Sequence, residues 1–160
     1  MGRGKHDPNS LHRYKEIHEG VMQQFVREGI VESDTLEFAD LGNGFLLLEG
    51  RIWCLGGAYI DVWKLLKIVD GEGRTARVQT CRYNYNAALP RVGNIFRYDS
   101  ADEFHPEHHV HRFDTLAGDR DGTREPVDEN EYPTLGEVIR ELANWYYDHS
   151  AELRARGISD

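Results

Sequence analysis

The sequence is poor in the groups that most directly betray a function. Its two cysteines, Cys54 and Cys81, stand far apart, and no CxxC pair occurs. A structural zinc site built on close cysteine pairs is therefore excluded. Two isolated thiols in strand-like segments read as reduced, half-buried residues of an intracellular chain. Apolar runs are short, as in Phe45-Leu46-Leu47-Leu48, well below the roughly 20 residues a membrane-spanning helix needs. The stretch Met1 to Pro8 lacks the apolar core of a secretory signal, so a cytoplasmic location is expected. Basic charge is in deficit: 19 Lys and Arg oppose 28 Asp and Glu, a net charge of −9. A uniformly basic nucleic-acid-binding protein is excluded on that ground. Gly42-Asn43-Gly44 is followed by no lysine-bearing helix and is no phosphate-binding loop. Asp61-Val62-Trp63-Lys64 lacks the spacing of the acidic-x-lysine strand of metal-dependent nucleases, and a structural use is expected there.

What is present suffices for one domain. The 160 residues are 39% hydrophobic and 29% charged, enough for a modest core and against wholesale disorder. Charge is unevenly placed. Residues 51–97 carry eight basic and three acidic side chains, whereas residues 98–160 carry six basic and sixteen acidic ones. A basic middle flanked by acidic ends suits a sheet facing phosphates. It equally suits arginines paired with the acidic flanks.

Helical periodicity marks both ends of the chain. Ser10 is placed to cap a helix over 10–28, with Leu11, Tyr14, Ile17, Val21 and Phe25 as its stripe and Gly29 as its stop. Near the other end, Thr134-Leu135-Gly136-Glu137 matches a capping box and opens a helix over 134–156. Between them, residues 35–99 read as strands joined by short turns. Along 58–69, Ile60, Val62, Leu66 and Ile68 share one face and Tyr59, Asp61, Trp63 and Lys67 the other. Such short connections favour an antiparallel meander. The expected fold is thus a single α+β domain, with a sheet of about five strands carrying N- and C-terminal helices. Residues 100–132 read as an irregular, histidine-rich and acidic loop region.

The richest chemistry lies in that region. Four of the eight histidines fall within His105-Pro106-Glu107-His108-His109-Val110-His111. Three readings compete. In the first, His109 and His111 point the same way on an extended chain and ligate a metal, with His105, Glu107 or His149 as a third ligand. In the second, the imidazoles do metal-free acid–base work on RNA. One takes the 2′-hydroxyl proton, another protonates the leaving 5′-oxygen, and Arg82, Arg97 or Arg112 meets the phosphate charge. In the third, the histidines are a solvated loop paired with Asp102, Glu107 and Asp114. Just upstream, Arg82-Tyr83-Asn84-Tyr85-Asn86 sets tyrosines on one strand face and polar groups on the other. Tyrosines beside arginines make a platform on which single-stranded RNA bases can stack, although ordinary sheet packing explains tyrosines equally well.

The order of these pieces resembles the TumE family, small proteins described as the toxin half of prokaryotic toxin–antitoxin pairs. The resemblance is carried by Arg82-Tyr83-Asn84-Tyr85, Ile95-Phe96-Arg97-Tyr98-Asp99, His108-His109-Val110-His111 and Pro133-Thr134-Leu135. It covers roughly residues 45–150. It departs at Val110, where the family commonly has a basic residue, and in the tract between Asp99 and His108. The N-terminal helix looks like an addition. The resemblance implies a toxin role and a cognate antitoxin, typically a helix-turn-helix protein. The ribonuclease chemistry comes from the residues themselves.

The expected function is accordingly an RNA-targeting toxin, acting as a metal-independent endoribonuclease with no cofactor. His109 and His111 are the first choices for acid and base, with His108 next. Arg97 and Arg82 would hold phosphate, with Arg112 as a further contact. Tyr83, Tyr85 and Tyr98 would orient a base or the phosphate, and Asp99 would orient a histidine. The rivals are a binding module without catalysis and a metal-dependent enzyme using His105, His109 and His111. RNA and the antitoxin are the expected partners, the latter through the acidic region 98–160. No membrane is expected, and a homodimer is left open.

Overall fold

The computed structural model describes residues 4–102, 104, 106–119 and 121–158. Among them, nine strands form one antiparallel sheet flanked by two α-helices. The α+β class is as expected, but a sheet of about five strands understates it. The chain runs β1 (Asn9–Ser10), α1 (Leu11–Arg27), β2 (Val31–Asp34), β3 (Glu37–Gly42), β4 (Phe45–Cys54) and β5 (Tyr59–Asp70). It continues through β6 (Arg77–Leu89), β7 (Gly93–Asp99), β8 (His108–Arg112), β9 (Thr123–Val127) and α2 (Leu135–Ala155). The main path across the sheet is β2-β4-β5-β6-β7-β8-β9, with β3 beside β4 and β1 beside β6. No helix among the described residues is long and apolar enough to cross a membrane.

Local chemistry explains the elements. The Ser10 side chain accepts the Arg13 amide at the start of α1. At the start of α2 the capping box is complete: Thr134 accepts the Glu137 amide, and Glu137 accepts the Thr134 amide. The β4–β5 turn needs Gly56, whose φ is +67° and whose missing Cβ leaves room for the Tyr146 ring.

Strand alternation then decides the layers. Ile60, Val62, Tyr83, Tyr85, Phe96, Tyr98 and Val110 all face inward and are buried. The helices cover that face, contributing Met22 and Phe25 from α1 and Val138, Ile139, Leu142 and Leu153 from α2. The opposite face mixes polar side chains with partly exposed apolar ones, among them Leu47, Trp63 and Leu65.

Residues 100–132 are not the irregular loop that their polarity suggests. His108, His109 and His111 lie on β8, which pairs with β7 on one side and with β9 on the other. β9 is an edge strand bearing Pro126 and Glu125, both exposed. A strand so composed is suited to an edge, because proline donates no ladder hydrogen bond and charge discourages further pairing.

Candidate active site

Cross-strand register assembles a polar cluster on the open face of the sheet. Trp63 of β5 lies opposite Asn84 of β6, Asn84 opposite Asp99 of β7, and Asp99 opposite His109 of β8. Two residues along, Asn86, Arg97 and His111 form a parallel row, with Arg124 of β9 next to His111. Directly opposed residues sit within side-chain reach of one another. The two rows therefore place Asp99, Arg97, His109 and His111 in one patch.

Asp99 is its hub. One carboxylate oxygen accepts the Asn84 side-chain amide. The other accepts Arg97 Nε at 2.8 Å and lies 3.3 Å from His109 Nε2 and 3.8 Å from His111 Nε2. The two imidazoles stand edge to face with centroids 4.9 Å apart. The Nδ1 of His109 is 3.0 Å from the Glu107 carbonyl, so an imidazolium there would donate from both nitrogens, to that carbonyl and to Asp99. His109 is buried at 5% exposure, whereas His111 is more open. The pKa of His111 is lowered by its partial burial and by the neighbouring Arg97 and His109, with Asp99 opposing. A cleft of about 390 Å³ lies against this cluster, lined also by Trp63, Arg82, Asn84 and Asp102.

The structure thus brings together Arg82, Arg97, Asp99, His109 and His111. Of the remaining candidates Tyr83 also lines that cleft, and the others are separated from it. His108, one residue out of phase with His109, points to the inner side. There it packs against both Tyr83 and Tyr132, which also stack on each other, with Nδ1 2.9 Å from the Tyr83 hydroxyl. Burial lowers its pKa.

Tyr83, Tyr85 and Tyr98 are buried on the inner face of the sheet, so the tyrosine stacking platform is not formed. Their aromatic area drives them to the covered face, which leaves Arg82, Asn84 and Asn86 outward. Arg112 shares the inner phase, binding Glu141 at 3.1 Å and the Tyr98 hydroxyl at 3.2 Å. That hydroxyl also donates to Glu141, and burial pushes the Tyr98 pKa up to about 12. These contacts tie β8 to α2 and leave Arg112 outside the cleft.

The proposed third metal ligands fare similarly. His149 on α2 stacks on Trp145 with centroids 4.4 Å apart, and Glu107 lends its backbone carbonyl rather than its carboxylate. His105 lies outside the described residues. Asp99 instead completes the only group of potential ligands among the described residues, with donor atoms of Asp99, His109 and His111 within 4.8 Å of one another. Trp63 is the site residue that the sequence reading missed. Its phase opposite Val62 was legible, but its distance along the chain from the histidines hid the link.

No family model, no curated protein and no solved structure matches the chain.

Proposed function

We propose that the chain is an endoribonuclease that cleaves RNA without a metal on the open face of its sheet. The observation that carries the reading is the pair of imidazoles, 4.9 Å apart, sharing the Asp99 carboxylate beside Arg97. His111, whose pKa is lowered, is neutral near pH 7 and takes the 2′-hydroxyl proton. The 2′-oxygen attacks phosphorus and the bond to the 5′-oxygen breaks. His109 gives that oxygen its proton. The products are a 2′,3′-cyclic phosphate and a 5′-hydroxyl end. Arg82 and the outer nitrogens of Arg97 meet the charge building on the phosphate, and exposed Trp63 offers a face for a base.

A metal-dependent reading draws on the same three residues, since their donor atoms are close enough to share an ion. Against it, both Asp99 oxygens already accept hydrogen bonds, from Asn84 and from Arg97. An arginine bound to a carboxylate competes with a cation for the same lone pairs.

The toxin role rests on the resemblance of the Arg82–Tyr85, Ile95–Asp99 and His108–His111 segments to the TumE family. In that role the protein would act in the cytoplasm of a prokaryote and be neutralised by a helix-turn-helix antitoxin. Growth arrest on expression, relieved by the product of the neighbouring gene and absent for His109→Ala, is the expected result.

The deciding experiment is cleavage of a mixed pool of single-stranded and structured RNA, with and without chelator. Cleavage should persist in chelator and leave 2′,3′-cyclic phosphate ends. It should fall by about 100-fold or more in His109→Ala and in His111→Ala. Loss of cleavage in chelator would transfer the site to a metal. Inert but folded protein that binds RNA through Arg82 and Arg97 would make it a binding module.

A further inference from the structure

On its inner face β5 alternates apolar residues with a single break. Ile60, Val62 and Leu66 are buried there, and so is Lys64, at 8% exposure. An ammonium taken out of water normally needs a counter-ion. No described carboxylate is ion-paired with Lys64, and none is among the groups that act on it most strongly. Its neighbours are the phenols of Tyr85 on β6 and Tyr14 on α1, and its Nζ is 5.2 Å from the centre of the Tyr14 ring. The Tyr85 hydroxyl is itself buried with no hydrogen-bond partner of good geometry. Burial works against the Lys64 charge and the phenols outweigh it, so the ammonium is retained. A lysine held in that form is an anchor for an anion rather than a nucleophile.

A cavity of about 240 Å³ lies against this lysine. It is lined by Ile17 and Val21 of α1, by Leu48 and Val78 of the sheet, and by Leu135 at the start of α2. The carboxylate among its lining residues, Asp7, is exposed and engaged by the Gly4 amide at 2.6 Å. Lys5, also lining it, is held by Glu137 at 3.2 Å. His6 and His18 complete the titratable lining, and burial lowers the pKa of both. The cavity therefore offers one buried cation, ion-paired to no described carboxylate, among largely apolar walls.

We infer that the space between α1 and the sheet is a binding site for a small carboxylic acid with an apolar body, its carboxylate seated on Lys64. The volume suits a ligand of roughly ten non-hydrogen atoms, below drug size. The walls take the hydrocarbon, and the buried ammonium and the Tyr14 hydroxyl take the acid. This site lies on the covered face of the sheet, opposite the histidine cluster, and does not depend on the ribonuclease reading.

The test is calorimetric titration of the full chain with octanoate and benzoate, using octanol and acetate as controls. One of the two acids should bind saturably at one site per chain and raise the melting temperature. Octanol, which lacks the charge, and acetate, which lacks the body, should bind at least about tenfold more weakly. Lys64→Met should weaken the acid by a similar factor. Ile17→Trp, at a position 43% exposed, should block the cavity while keeping the lysine, and so decides the matter if Lys64→Met does not fold. Absence of saturable binding to wild type would overturn the inference. So would binding left intact by Ile17→Trp.

Discussion

At the scale of single residues, Asp99 decides what the histidines can do. It sits where two strand rows meet, and its oxygens are satisfied by Asn84 and Arg97 while both imidazoles face it. The electrostatics give signed predictions for pH–rate profiles of RNA cleavage. The acid limb of kcat/KM should lie below pH 6.5, because burial, Arg97 and His109 all lower the His111 pKa. Arg97→Gln removes a lowering influence and should move that limb to higher pH. Asp99→Asn removes the raising one and should move it lower. Shifts in the opposite directions would assign the limb to another group.

The same scale shows what the sequence could convey. Period-two alternation correctly sets His109 and His111 on one side, and by the same rule sets His108 and Arg112 on the other. It cannot say which side receives the helices. That choice follows from apolar area summed over several strands, and it buries Tyr83, Tyr85 and Tyr98.

At the scale of elements, both helices were legible because their signals are local. The Ser10 cap, the Thr134–Glu137 capping box and the apolar stripes lie within a few residues of one another. The β8–β9 hairpin was not legible. β9 reads Thr-Arg-Glu-Pro-Val, a composition that advertises a loop and becomes a strand only because β8 offers it a partner edge.

The attachment of this hairpin to α2 runs through Arg112, Glu141 and Tyr98. Replacing Arg112 by Met should cost about 1 kcal/mol of stability, discounted because the pair is partly exposed. It should leave cleavage per folded molecule unchanged. Urea titration together with the RNA assay separates these effects, and a large loss of activity in a stable Arg112→Met protein would return this arginine to the site. Thr134→Ala should cost a further ~1 kcal/mol through the lost cap, again visible as a lower urea midpoint.

At the scale of the whole molecule, the division between faces governs both charge and stability. The basic stretch 51–97 is not a free positive surface: Arg51, Arg77 and Arg97 bind Asp61, Asp70 and Asp99. These partners come from within or just beyond the same stretch, so the acidic tail is not its main neutraliser. Arg82 has no ion pair with a described carboxylate and is left to act on a ligand.

Histidines are packed into both layers. His18 is part of α1 and His6 precedes it, His108 stacks against Tyr132 and Tyr83, and His111 belongs to the cluster. Burial is the largest cause lowering the pKa of each. A folded-state pKa below the unfolded value of 6.5 means that the unfolded chain binds more protons in between. Stability contributed by the neutral rings is then complete above pH 6.5 and declines as pH falls through the folded values. The urea midpoint should therefore drop between pH 7.5 and pH 5, before the carboxylates titrate. His108→Gln, which keeps a neutral polar ring substitute beside Tyr83, should flatten part of that slope. A midpoint that is level or rising on acidification over this range would show that these imidazoles are not held neutral by the fold. It would also remove the basis for assigning His111 as the base.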